Sequence, residues 1–402
     1  MKKRIELLND TLKLIEAVTT DEALQSKKYW LTAGVALSVS SVESFYVLLE
    51  EIFLSEKRIT ERFSRKLVFR FLENKIVAQK KSHIDFSQKD SDDLYSELLS
   101  IEPKNLYVVA PISGIRISKS GNQKFSSFEF GRLSDLKAKL ANDAEYYIKI
   151  YVENIYDEQI AIEKAKNAFD DFTKLLVFVS GRNDKKIVIK TGLPAYPKIG
   201  EELMYVESTS YQLFCGSESF PGGAIHNKYV ETIPIDNDFF VGNPEHLKLL
   251  ELYEKKFSGV MISDMEKRIV NSALAVGESM MNENIKNSII YTCVALEILF
   301  SFDEGSIFQK SIGDRLADTF VFIVARNKEA RIETAKRLKK VYAMRSALVH
   351  GGEKSINNDY IIINTLMRAA IVELLNKEKY SNIRKIDQLY EMIRDAHYSY
   401  GD

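Results

Sequence analysis

The chain has 402 residues, 45% of them hydrophobic and 28% charged, with a formal net charge of −1. That length allows two or three domains with a sizeable core, in the composition range of ordinary soluble globular proteins. The charge balance excludes a global basic field that would draw the protein onto nucleic acid, so any such contact must be local.

The basic start Met1-Lys2-Lys3-Arg4 is followed at once by Glu6, which argues against a signal peptide. Residues 1–100 read as a helical region. Leu7, Leu8, Leu12, Leu14, Ile15 and Val18 follow helix spacing, and Trp30–Phe53 is a long apolar stretch. A third helix is predicted from Ile59 to about Lys80, with Phe63, Leu67, Phe71 and Leu72 on one stripe; Lys80–Asp93 reads as a loop or a weak helix start.

The texture changes after Pro103. Leu106–Ala110 and Ile112–Ile117 carry β-branched and aromatic residues, separated by Pro111 and Gly114. Ser118–Asn122 reads as a turn, Phe125–Phe130 alternates apolar with polar, and Tyr146–Val152 is a predicted strand. Asp157–Val179 is predicted as an amphipathic helix with Ala161, Ala165, Ala168, Phe169, Phe172, Leu175 and Leu176 as its buried stripe. Further strands are expected at Lys186–Lys190, Met204–Phe214 and Tyr229–Ile233, and Gly222-Gly223 reads as a turn. Residues 103–240 are therefore expected to form a central mixed α/β domain.

Pro244 suits the first turn of a helix, where its missing N–H costs nothing. From there the pattern is helical: about 245–277, 283–302, 306–325, 328–350, 358–376 and 383–398. The apolar run Ser288–Phe302 contains Glu297 and is too short to cross a bilayer, so it reads as a buried core helix and no membrane association is expected. The expected fold class is α+β and predominantly helical, with an all-α bundle over 244–402.

Within that bundle, Arg345 and His350 bracket Arg345-Ser346-Ala347-Leu348-Val349-His350, which runs into Gly351-Gly352. A guanidinium can hold a phosphate and an imidazole can move a proton, so the pair is a minimal kit for opening a phosphodiester. If the helix ends at His350, Gly351 is its left-handed cap, and the dipole at that end favours a protonated imidazole. Five residues of helix leave the two side chains about 140° apart, so they converge only across a wide cleft or a distorted last turn. From Ser306 to His350 there are ten Lys/Arg against four Asp/Glu, which fits either a local nucleic-acid contact or a solvated helix face.

The stretch Val341-Tyr342-Ala343-Met344-Arg345-Ser346-Ala347-Leu348-Val349-His350-Gly351-Gly352 resembles the end of the third main helix in HEPN domains, specifically the Apea-like group. Tyr291–Phe300 and Gly313-Asp314-Arg315-Leu316-Ala317 look like that family's preceding helices, in the same order. The resemblance spans roughly residues 244–376 and does not cover the first 240. It implies a HEPN helical bundle and a metal-independent endoribonuclease that acts as a homodimer, with Arg345 and His350 catalytic. It also implies a role in bacterial anti-phage defence (abortive infection) or as a toxin. The 2′-hydroxyl of RNA would be the nucleophile, giving a 2′,3′-cyclic phosphate and a 5′-hydroxyl.

Supporting residues follow with their alternatives. Glu297 either satisfies a core polar group or orients Arg345. Arg315 matches a family position or pairs within its helix with Asp314 or Asp318. Ser346 departs from the more strongly polar residue the family places after the arginine, while Tyr342 and Met344 read as packing residues. His83, His226, His246 and His397 lack ligand-like spacing, and Cys215 and Cys293 are too few and too far apart for a disulfide framework or zinc site. No metal or cofactor is expected, and a reducing cytoplasm fits. The N-terminal 240 residues would restrain the nuclease or sense a phage-derived or protein trigger. The alternative is a non-catalytic HEPN-type module that binds RNA, a nucleotide or a protein.

Overall fold

A computed structural model describes residues 4–18, 28–32, 34–117, 123–125, 127–136, 145–182, 189–192, 198–199, 203–215, 218–235, 239, 242–302, 312–351 and 355–398, with backbone alone at 198–199, 203–215, 218–230, 312 and 397–398. The chain is a mostly helical α+β protein. It divides into two compact units: Met1–Val108 with Tyr151–Ala165, and Val109–Ile150 with Lys166–Asp402. The segment 103–240, expected as a domain of its own, contributes to both, because two of its strands and its helix are continuous through the dividing points.

In the first unit, α1 (Arg4–Leu14) buries Leu7, Leu8, Thr11 and Leu12, as their spacing predicts. The helix stops short of Val18. Ile15–Ala17 is strand β1, which joins β2 (Tyr29–Thr32) and β3 (Val35–Leu37) in the order β1-β3-β2. The apolar stretch from Trp30 therefore opens as a hairpin and not as helix. Gly34 takes the left-handed turn conformation, φ +82°, and Tyr29, Trp30, Thr32 and Val35 favour extended backbone. The rest of the stretch is α2 (Val42–Leu54), which buries Phe45, Leu49, Ile52 and Phe53.

The helix expected from Ile59 to Lys80 is two, α3 (Lys57–Arg62) and α4 (Arg65–Ser82). Ser64 makes the break: its hydroxyl accepts from Leu67 N at 3.2 Å, and its own N–H donates to Asp157 Oδ2 at 2.7 Å. The polar stretch after Lys80 starts α5 (Gln88–Leu99), where Ser87 and Asp90 cap one another reciprocally.

In chain order the strands that follow are β4 (Lys104–Ser113), β5 (Ile115–Arg116), β6 (Gln123–Phe125), β7 (Phe128–Arg132) and β8 (Tyr146–Ile155), then β9 (Lys190–Thr191). Five of them form one sheet, β6-β7-β8-β4-β9. Of the two interruptions expected, the one at Gly114 is present, with φ +89°, while β4 runs on through Pro111. Phe125–Phe130 is not one alternating strand but a hairpin, with Phe125 opposite Phe128. The expected turn Ser118–Asn122 lies outside the described residues, as do 186–188 of the strand expected at Lys186–Lys190.

Helix α6 (Glu158–Ser180) buries all seven residues of its predicted stripe, and Phe172 packs on Phe128 with ring centroids 4.5 Å apart. Strands β10 (Lys198–Ile199), β11 (Leu203–Cys215) and β12 (Glu218–Glu231) form a second sheet, and β13 (Ile233–Pro234) runs parallel to β5. Gly222-Gly223, expected as a turn, lies inside β12 with Gly223 opposite Gln212. The ladder is irregular just beyond, between Gln212 and Phe214, a common setting for glycine within a strand.

The helical part of the second unit comprises α7 (Leu247–Phe257), α8 (Asp264–Met281), α9 (Ile285–Phe300), α10 (Ile312–Val324), α11 (Lys328–Val349), α12 (Asp359–Asn376) and α13 (Ile386–Tyr398). The single helix expected over 245–277 is broken: Pro244–His246 is a short 3-10 turn, Gly259 ends α7 at φ +73°, and a Ser263–Glu266 capping box starts α8. Of the helix expected over 306–325, residues 306–311 lie outside the described residues. None of the described helices is long and apolar enough to cross a membrane.

Three helices are tied by a fully buried polar network. Asn364 of α12 donates to Ser279 Oγ of α8 at 2.8 Å and accepts from Thr292 of α9 at 3.0 Å, while Ser279 reaches the Ser288 carbonyl at 2.7 Å. Arg368 of α12 covers the end of α6, donating to the carbonyls of Phe178 and Val179. Gly277 lets α8 approach α6 so closely that a β-carbon there would collide with the Lys174 carbonyl.

Candidate active site

Helix α11 begins at Asn327, whose side chain accepts from Ala330 N, and buries Thr334, Leu338, Val341 and Met344. Met344 is thus a packing residue, as expected. The helix is continuous through Val349; His350 is its C-cap, with its N–H on the Ser346 carbonyl at 3.1 Å, and Gly351 follows at φ +73°. The predicted glycine cap is in place.

Arg345 faces α9. Its Nη2 lies 3.9 Å from Glu297 Oε1, at the outer edge of ion-pair distance, with both side chains about a third exposed (36% and 31%). The same carboxylate oxygen accepts the Tyr342 hydroxyl at 3.3 Å. Glu297 thus stands between the Tyr342 hydroxyl and the Arg345 guanidinium. Burial first, then the neighbouring Cys293 and Glu297, pushes the Tyr342 phenol well above its ordinary range, so it stays a donor to Glu297. Burial likewise pushes the Cys293 thiol up to about 12.

Arg345 Nε is buried and has no hydrogen-bond partner among the described residues. A buried N–H left unpaired costs the fold roughly 1–3 kcal/mol. The guanidinium lines an open cleft of about 430 Å³ together with Glu297, Tyr342, Ser346, Asp314 and Lys339. Lys339 reaches across to Asp314 at 2.6 Å, closing one side.

His350 is exposed, and its ring makes no hydrogen bond or ion pair with any described residue. It is not among the residues that line the Arg345 cleft. With α11 regular to Val349, the two side chains leave the helix about 140° apart and roughly 7.5 Å apart along its axis.

Arg315 sits near the start of α10 and donates to the Phe302 carbonyl at 3.1 Å, just past the end of α9. It does not line the cleft. Ser346 does, with an exposed side chain beside Arg345. Lys339, Tyr342 and Asp314 complete the cleft without having been singled out for it. Residues 339, 342 and 346 recur at helix spacing, and that stripe was the available signal; Asp314 comes from another helix, and only the folded chain reveals it.

Compared with known proteins, the chain matches no family model, no curated protein and no solved structure.

Proposed function

We propose that this chain is a metal-independent endoribonuclease of the HEPN type, cleaving RNA through its 2′-hydroxyl as a homodimer. The observation that supports this reading most is the state of Arg345: a guanidinium about a third exposed (36%) in an open cleft, 3.9 Å from the Glu297 carboxylate that shares the lining. That is a prepared site for a phosphate oxygen. The exposed imidazole of His350 supplies the proton chemistry.

The reaction needs one imidazole to take the 2′-hydroxyl proton as the oxygen attacks phosphorus. A second, protonated, gives its proton to the departing 5′-oxygen. One histidine per chain cannot comfortably do both in one step. Two chains across a twofold axis bring two of each residue, and the 140° divergence within one chain is then no obstacle. The first unit would serve as the sensor or restraint of such a nuclease, in a role of bacterial defence or toxicity.

A second reading, a non-catalytic HEPN-type module that binds RNA, a nucleotide or a protein, draws on the absence of His350 from the cleft lining. The test separates them. Purified protein is incubated with total RNA in the presence of a chelator and the fragment ends are characterised. Cleavage giving 2′,3′-cyclic phosphate and 5′-hydroxyl ends, lost in Arg345→Ala and in His350→Ala, is expected. Undiminished cleavage by both variants, or binding without cleavage by the parent, refutes the nuclease.

A further inference from the structure

Ile332, Lys336, Lys339, Ala343, Ser346 and His350 recur along α11 at intervals of three or four residues, and Ile332 and His350 are eighteen residues, five whole turns, apart. They therefore occupy one face. Ile332, Ala335, Lys336, Lys339, Lys340 and Ala343 line a shallow groove of about 560 Å³ whose floor is almost wholly apolar. Ile332 is 60% exposed. Lys339 and Ala343 belong both to this groove and to the Arg345 cleft, so the two are continuous.

Charge chooses the occupant. Between Ile332 and His350 this face carries Lys336 and Lys339 and no carboxylate of α11, with Lys340 on its flank about 20° from Glu333. Glu333 points about 100° from Ile332 and is held by Arg337 at 2.9 Å, and Glu329, one turn before Ile332, lies about 60° around. Lys336 has no carboxylate partner among the described residues, Lys340 stands a loose 3.8 Å from Asp359, and Lys339 is half exposed beside Asp314. A second copy of the same face would set these lysines against their own kind. A polyanion with flat apolar faces, a single nucleic-acid strand, matches both the lysines and the apolar floor.

We infer that the exposed face of α11 from Ile332 to His350 is a single-strand binding track, its lysines gripping successive phosphates and leading the strand to His350. The track is roughly 27 Å long at 1.5 Å per residue, enough for several nucleotides. This rests on the nuclease reading for its purpose but not for its chemistry. Because it reads backbone and not the 2′-hydroxyl, DNA and RNA strands bind it alike, and only cleavage distinguishes them.

The experiment measures fluorescence anisotropy of labelled RNA and DNA oligonucleotides of one sequence, about twelve nucleotides long, on the full chain carrying His350→Ala to prevent turnover. Adding Lys336→Ala with Lys340→Ala is expected to weaken both oligonucleotides about tenfold and to flatten the salt dependence by roughly one to one and a half in log–log slope. Lys66→Ala with Lys89→Ala, exposed lysines of the other unit, should change neither. Unchanged affinity in the groove variant, or no oligonucleotide binding by the parent at low salt, overturns the track. A concentration-dependent dimer lost on Ile332→Glu with oligonucleotide affinity intact assigns the face to a second copy and overturns it too. Binding through the lysines without cleavage by the wild-type chain sinks the nuclease and leaves the track; cleavage with lysine-independent binding does the reverse.

Discussion

The Glu297 carboxylate and the Arg345 guanidinium face each other across the seam of α9 and α11 at 3.9 Å, the outer edge of ion-pair distance. Both are partly exposed, so the pair adds little to stability, under about 1 kcal/mol. Its value is positional. In Glu297→Gln the proposed cleavage should fall about tenfold in kcat with little change in KM, since the substrate grip is weakened mainly where charge develops. Tyr342→Phe, which removes only the hydroxyl on the same oxygen, should cost less. Single-turnover kinetics with urea unfolding alongside would check both; a Glu297→Gln chain as active as the parent denies the carboxylate any role.

Protomer sharing has its own signature. If each site draws on two chains, mixing wild type with an Arg345→Ala, His350→Ala double variant and allowing exchange lowers activity with the square of the wild-type fraction. An equal mixture then keeps about a quarter of the activity, where independent protomers would keep about half. A linear titration would show that one chain holds a complete site.

Two glycines make opposite kinds of demand. At Gly181, φ +70°, a methyl group would strike the Arg368 guanidinium and displace it from the Phe178 and Val179 carbonyls. At Gly277 the obstacle is backbone, the Lys174 carbonyl, which cannot swing aside. Gly181→Ala should cost about 2–4 kcal/mol and Gly277→Ala at least about 3. Gly259→Ala, at φ +73° with open space around it, should cost only about 1 kcal/mol. Urea midpoints of the three variants rank these costs, and equal midpoints would contradict the close α6–α8 approach.

His246 gives the fold an acid-sensitive point. It is 3% exposed, its ring stands edge-on to Phe178 with centroids 5.5 Å apart, and its Nδ1 has no hydrogen-bond partner among the described residues. Burial, with Arg368 adding to it and Glu245 opposing, holds it down to about 4. The unfolded chain takes this proton at about pH 6.5, so between the two values the unfolded state binds more protons. The stability it supports is whole above about pH 6.5 and declines towards pH 4, by up to about 3 kcal/mol. His246→Phe should flatten that part of the pH–stability curve; an unchanged acid slope would place the sensitivity elsewhere.

What could be read before folding was whatever depends on side-chain period alone. The stripe from Ala161 to Leu176, the helix that carries Arg345, and the glycine after His350 all follow from local spacing and backbone preference. Single-residue breaks were harder: Ser64, Gly259 and Gly34 each end or turn an element inside an apolar pattern that would otherwise continue. Gly223 misleads the other way, because its strand partner Gln212 is eleven residues off and invisible to a local reading. The arginine and histidine were visible as residues, but the carboxylate's 3.9 Å approach and the Lys339–Asp314 closure join separate helices. No spacing rule encodes them.

The hydroxyl–amide knot of Ser279, Thr292 and Asn364 has a mechanical consequence. Leucines and alanines tolerate sliding by a turn with modest loss, whereas a slip here would strand an amide and two hydroxyls in a dry interior. The three helices therefore have one permitted alignment. Glu297 rides on one of them, which makes its side of the Arg345 cleft stiff, and any opening or closing there must come from side chains or from α10 and α11, which lie outside the knot.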